Sequence, residues 1–181
     1  DIDEKSLARF GQWPWSRDRV GLLLEKIKRL GALSIGLDIV FPEADRTSLD
    51  RSQEEIQRDG KTPLNFSRAS RFPTENDKRL AIQLSQGPFV MGYSFTFSEK
   101  EQGNGGCHLH PVSVAFMKGS EGVEGSGFLF KAQGAVCNLN VLSEAARSSG
   151  FFNTMKYPDG VLRRAPLLIE HDQQFYPSLA L

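Results

Sequence analysis

Between Ser16 and Phe41 the apolar spacing switches from a helical period to a strand period, which restricts the chain to folds that combine helices with a sheet. After Ser16, a residue suited to an N-cap, Val20, Leu23, Leu24, Ile27 and Leu30 recur at helical intervals, and Gly31 stands where a left-handed residue would end the helix. From Leu33 onward Leu33, Ile35, Leu37, Ile39 and Phe41 alternate onto one face, with Ser34, Gly36, Asp38 and Val40 on the other, until Pro42 stops the strand. Asp1-Ile2-Asp3 has the character of a strand's end. Together these segments predict a βαβ unit with parallel strands and a right-handed crossover.

Further along, residues 44–73 turn polar, with Arg46, Arg51, Arg58, Arg68 and Arg71 among acids and hydroxyls, and predict a surface insertion holding a short helix over Ser52–Gln57. A helix over Asp77–Ser85 burying Leu80, Ala81 and Leu84 is expected next. After Gly87-Pro88 comes a strand with Phe89, Met91, Tyr93, Phe95 and Phe97 on one face. Residues 98–127 are glycine-rich and predict a second insertion, with one short strand around Val112, Val114 and Phe116. A short helix is expected over Leu142–Ser149, ended by Gly150. Tyr157-Pro158-Asp159-Gly160 predicts a hairpin joining Phe151–Met155 to Val161–Ile169, because Pro presets φ and Gly accepts positive φ. Ser178–Leu181 reads as the first turn of a helix. The expected class is α/β: one domain over 1–181, a mixed, partly parallel central sheet with flanking helices, and two irregular insertions.

Composition narrows the function. Lys+Arg 22 balance Asp+Glu 22, so the formal net charge is zero, which argues against a nucleic-acid binder or a polybasic membrane-surface module. No apolar run is long enough to span a membrane and no signal peptide is visible. Both ends look cut, so a domain excised from a longer protein is expected. The two cysteines, Cys107 and Cys137, cannot build a disulfide framework or a four-ligand zinc site. They can make one bridge in an oxidising compartment or remain thiols.

Asp3 and Asp38 are placed at the carboxyl ends of two adjacent parallel strands, where open α/β sheets form their crevices. With Asp1 and Asp77 they could hold Mg²⁺ or Ca²⁺ through oxygen ligands, or meet a cationic ligand. They could equally cap helices or pair with Arg17. Trp13-Pro14-Trp15 is rigid and aromatic and suits either a pocket wall or a staple packed against the sheet. Arg163 is a candidate anion contact, with a salt bridge to Asp38 or Asp159 as the alternative; Arg164 points to the opposite face. The candidate ligand-binding residues are thus Asp3, Trp15, Arg17, Asp38 and Arg163, with Asp3 and Asp38 also the metal candidates. His108 and His110 beside Cys107 suit a surface metal clamp or plain solvent exposure. Neither a nucleophile elbow nor His-Glu-x-x-His nor a phosphate-binding glycine loop occurs, so no catalysis and no cofactor are expected of these residues.

Several segments follow one family's pattern in order. They are Asp1-Ile2-Asp3-Glu4-Lys5-Ser6-Leu7, Trp13-Pro14-Trp15-Ser16-Arg17, Gly36-Leu37-Asp38-Ile39-Val40-Phe41 and Asn76-Asp77-Lys78-Arg79-Leu80-Ala81. Gly150-Phe151-Phe152-Asn153, Asp159-Gly160-Val161-Leu162-Arg163-Arg164-Ala165-Pro166-Leu167 and Tyr176-Pro177-Ser178-Leu179-Ala180-Leu181 complete the set. Together they resemble the CHASE2 domain, an extracytoplasmic sensor module of bacterial transmembrane receptors. The resemblance implies a periplasmic domain of an inner-membrane protein, with membrane helices before Asp1 and after Leu181. It also implies a cytoplasmic output domain, either a nucleotide cyclase or a Ser/Thr or histidine kinase. The expected partners are an unknown small-molecule or peptide signal and a second copy in a homodimer, with no nucleic acid. Two other readings stand beside it: a structural or dimerisation module without a ligand, and a small Mg²⁺-dependent α/β enzyme or phosphoacceptor using Asp3 and Asp38.

Overall fold

The computed structural model describes residues 2–48, 72–98, 106–115, 129–154 and 159–181. The helix expected over Ser52–Gln57 lies outside them, as does Phe116. Helix α1 spans Glu4–Phe10 and α2 Arg17–Arg29; strand β1 covers Ile35–Leu37; α3 spans Glu75–Ser85; β2 covers Phe89–Thr96. Then follow β3 (Phe130–Lys131), β4 (Gly134–Val136), α4 (Asn140–Ser143), β5 (Ser148–Phe151), β6 (Leu168–His171) and β7 (Gln174–Pro177). The class is α/β with a partly parallel sheet, as the sequence predicts.

β2 organises the molecule. Its first half pairs in parallel with β1 (Ile35 opposite Phe89) and with β5 (Val90 opposite Ser148), and its second half pairs antiparallel with β4 (Phe95 opposite Ala135). Two side-chain amides extend this ladder where backbone partners run out. Asn138 Nδ2 donates to the Gly92 carbonyl while its Oδ1 accepts from Phe41 N–H, and Asn153 bonds both backbone groups of Phe95. A second sheet of three strands runs in the order β3-β6-β7.

The alternating apolar face of β2 serves two cores in succession. Phe89 and Met91 pack with Val20 and Leu24 of α2, Leu80 and Leu84 of α3, and Leu142. Tyr93 and Phe95 pack with Phe151, Ile169 and Tyr176 between the two sheets. Leu84, Met91, Leu142, Phe151 and Ile169 are fully buried, and each contributes roughly 1.5–3 kcal/mol by leaving water.

Several predicted elements are replaced. The strand expected at Asp3 is instead the N-cap of α1, with Asp3 Oδ1 accepting from the Ser6 backbone N–H and hydroxyl. The parallel βαβ connection is therefore made by β1, α3 and β2. The strand predicted over Leu33–Phe41 shortens to Ile35–Leu37, because only there does β2 offer backbone partners. Gly150 does not end a helix. It lies inside β5, where the backbone of Leu179 crosses so closely that a Cβ at 150 would stand 2.7 Å from Leu179 N and Cα. Met155 and Pro158 of the expected hairpin lie outside the described residues; among these, its predicted arms do not pair, since Phe151 is taken by β2 and Val161–Leu167 carries no strand. The C-terminal hairpin is β6–β7, turning at Asp172 (φ 47°) and Gln173 (φ 61°). Ser178 forms a parallel bridge with Phe151, and the chain turns after it.

Parts of the two predicted insertions belong to the packed body. Ala44, Asp45 and Ser48 are buried. Cys107 is disulfide-bonded to Cys137 beyond β4, with Cα atoms 5.7 Å apart, and Val112 bridges Phe175.

Candidate functional site

α2 begins at Ser16, yet the Ser16 hydroxyl makes no capping bond. The cap comes from far along the chain, where Asp45 Oδ2 accepts the Arg17 N–H at 2.9 Å and also the Asn76 amide at 2.9 Å. Asp45 Oδ1 accepts from Thr47 N–H and the Thr47 hydroxyl. Burial would raise the Asp45 pKa, but these donors, led by Arg17 N–H, outweigh it and hold the carboxyl below its ordinary value. The negative charge also faces the positive end of the helix dipole.

A second buried carboxylate locks the same place. Thr74 and Asp77 form a reciprocal capping box at the start of α3, and Asp77 Oδ2 additionally accepts Asp45 N–H at 3.1 Å. Its other oxygen faces Arg17 Nε at 3.4 Å, with Asp77 wholly inaccessible and the Arg17 side chain nearly so. Arg17 Nη2 donates to the Glu43 carbonyl at 3.1 Å, and the guanidinium lies 4.1 Å from the centroid of the Phe41 ring. Burial lowers the Arg17 pKa, and Asp77 and then Asp45 oppose that shift. One cation and two carboxylates thus tie together α2, α3 and the segment after β1.

Against this clasp opens a pocket of about 300 Å³, walled by Trp13, Pro14 and Trp15 on one side and by Ile39–Thr47 on the other. Gly11 ends α1 at φ +87°, and its carbonyl accepts the Trp15 indole N–H at 2.8 Å. Trp15 is buried, edge-on to Phe10 and Trp13 at centroid distances of 5.6 and 5.9 Å, and the Trp13–Pro14 peptide is cis. Aromatic faces, a buried ionic network and the polar Glu43–Thr47 rim give the pocket both apolar and hydrogen-bonding surface.

Of the sequence candidates, Trp15 and Arg17 come together here; Asp3, Asp38 and Arg163 do not. Asp3 caps α1 at an exposed position, its carboxyl held below the ordinary value by the Ser6 backbone and hydroxyl bonds. Asp38 is exposed just past β1, and Arg17, the partner expected for it or Asp3, pairs with Asp77 instead. Arg163 pairs with Asp159 at 2.7 Å within one exposed turn, and that bond is the first cause of the lowered Asp159 pKa. Among the described residues no group of three or more His, Cys, Asp and Glu is placed to hold a metal ion. The His108 and His110 rings stand edge to face at 5.1 Å, His110 Nδ1 lies 3.0 Å from the Ser149 hydroxyl, and Cys107 is spent in the disulfide. Burial, then His108, lowers the His110 pKa.

Sequence reasoning missed the role of Asp45, hidden in a polar stretch, and gave Asp77 to a cation site. For Asp77 a signal was present: Thr74-x-x-Asp77 ahead of Leu80, Ala81 and Leu84 has the spacing of a capping box.

The CHASE2 domain family matches residues 1–181, the whole chain, and the chain belongs to that family. CHASE2 domains are extracytoplasmic sensory domains of signalling receptors, and they sense rather than catalyse. No curated protein and no solved structure matches the chain. No helix among the described residues is long and apolar enough to cross a membrane.

Proposed function

We propose that the chain is a single periplasmic input domain, 1–181, of a bacterial inner-membrane receptor. It takes a small-molecule or peptide signal in the Trp13–Thr47 pocket and works as a homodimer tethered by membrane helices at both ends. Its output domain is cytoplasmic, a nucleotide cyclase in the first instance or a Ser/Thr or histidine kinase. Family membership supports the sensory role, and the observation that carries the ligand site is the pocket's direct contact with the Arg17–Asp45–Asp77 clasp. A ligand there touches the residues that fix α2 to α3. Differential affinity for two arrangements of those helices is what a signal requires.

The chain's only tryptophans, Trp13 and Trp15, both line the pocket, so indole fluorescence reports its occupancy directly. A melting screen against small polar and aromatic solutes should find a ligand that shifts both fluorescence and Tm. At one hundred times its Kd, such a ligand stabilises by about 2.7 kcal/mol. Trp13→Ala should abolish both shifts; a ligand whose stabilisation survives that substitution binds elsewhere and defeats the pocket assignment.

A further inference from the structure

The carboxyl end of α2 carries apolar surface that none of the described residues covers. Leu30 is 81% and Leu33 93% exposed, on either side of Gly31, which turns the chain at φ +95°. One face of α2 carries Arg19, Leu22, Leu23, Lys26, Arg29 and Leu30 at helical spacing, so leucines and cations share a stripe, with Leu22 67% exposed. Beside this tip a groove of about 410 Å³ opens at the amino ends of β1, β2 and β5, lined in part by Ser34, Gln86, Arg147 and Ser148. Lys28 Nζ donates to the Gln86 carbonyl and so brings a further cation to the groove's edge. Lys26, Lys28, Arg29 and Arg147 therefore collect at one end of the molecule. The acids of the same segments are Glu25, paired with Arg29, and Glu144, a turn before Arg147.

Protruding leucines ringed by cations, next to a groove with a guanidinium and two hydroxyls, match the chemistry of a phospholipid surface. Acyl chains take the leucines, and phosphates take the cations and hydroxyls. A second copy seated on the same patch would set cations against cations, which disfavours self-association there. Zero net charge does not oppose this reading, because attraction to a surface depends on the local patch.

We propose that this tip is a docking surface for an anionic bilayer. Leu30 and Leu33 enter the headgroup layer, Lys26 and Arg29 face lipid phosphates, and one phosphate sits in the groove against Arg147, Ser34 and Ser148. The assignment is independent of the ligand pocket.

The test is flotation of the 181-residue chain with vesicles of phosphatidylcholine alone and of phosphatidylcholine mixed with phosphatidylglycerol. Binding is expected on the anionic vesicles and should fall steeply with salt. Each cation near such a surface changes partitioning roughly fivefold, so Lys26→Glu with Arg29→Glu should lower binding by more than about tenfold. Leu30→Asp with Leu33→Asp should also abolish it, and since these side chains are exposed the melting temperature should stay at the wild-type value. Equal partitioning onto both vesicle types overturns the proposal, as does wild-type binding by the double variants. A wild-type dimer in ultracentrifugation that Leu30→Asp turns into a monomer gives the patch to a second copy and overturns it equally.

Discussion

The two ends of α2 carry the same kinds of side chain to opposite effect. At the amino end Arg17 is buried between Asp77, the Glu43 carbonyl and the Phe41 ring, and its backbone N–H is capped by Asp45. At the carboxyl end Arg29 lies mostly in solvent on Glu25, beside the exposed Leu22, Leu30 and Leu33. An exposed i,i+4 pair contributes a few tenths of a kcal/mol, whereas a buried charge that loses its partner is costly. The stability of this region is therefore concentrated where the charges are hidden. The exposed end is free to contact something outside the chain.

The largest effect should come from breaking the buried end. Arg17→Ala leaves the Asp77 carboxylate buried without its cation and should destabilise by about 3–5 kcal/mol in urea unfolding; Asp77→Ala should do the same from the other side. The double substitution should cost well below the sum of the two, since neither charge is then orphaned. Arg29→Ala is the matching change at the exposed end and should cost about 0.5 kcal/mol or less. Equal losses at Arg17 and Arg29 would erase the contrast.

The disulfide offers a comparable restraint by a different route. Cys107 and Cys137 are bridged across a sequence separation of 30, and reduction or Cys107→Ser with Cys137→Ser should lower stability by roughly 2–4 kcal/mol. The bond ties the segment bearing His108 and His110 to the end of β4, far along the chain from α2. The loss should therefore add to that of Arg17→Ala within error, and strong non-additivity would mean that the two regions are coupled.

A smaller effect separates the two carboxylates that meet Arg17. The Asp45 pKa is lower in the folded chain than its ordinary 3.8. Its contribution is therefore complete above the unfolded value and is lost as pH falls through the folded one. Asp45→Asn should flatten the stability profile at the acid end and weaken the cap of α2 at neutral pH. Urea titrations across the acid range check both; a profile unchanged by the substitution removes Asp45 from the clasp's acid sensitivity.

How much of this was legible depended on whether the signal was local. The helix after Ser16, the helix burying Leu80 and Leu84 and the alternation of Phe89, Met91, Tyr93 and Phe95 were readable from spacing, although Leu23 and Leu30, which spacing sets on one face with Val20 and Leu24, are exposed. The Arg17 partners were not, since Asp45 and Asp77 lie 28 and 60 positions away and become neighbours only once β1 and α3 are in place. Gly150 carried a helix-stop signal of the right kind for the wrong cause, because its lack of a side chain is required by Leu179, almost at the chain's end. Asp172 and Gln173 hide a tight hairpin because neither is glycine, although both have positive φ.

The smallest expected effect belongs to Asp38, which strand periodicity places inside a strand over Leu33–Phe41. In the fold the strand ends at Leu37, Asp38 is exposed, and no hydrogen bond or ion pair of its side chain occurs among the described residues. A water-exposed carboxylate has no desolvation to recover and leaves no partner stranded when removed. Asp38→Ala should therefore shift stability by no more than about 0.5 kcal/mol. Asp3, the other carboxylate of the expected cation site, is engaged in capping α1. Melts of wild type and Asp38→Ala should be indifferent to millimolar Mg²⁺ or Ca²⁺. A divalent-ion stabilisation present in wild type and missing in Asp38→Ala would restore Asp38 to a site; a loss of several kcal/mol without added ion would return it to a buried strand and overturn the short β1 described above.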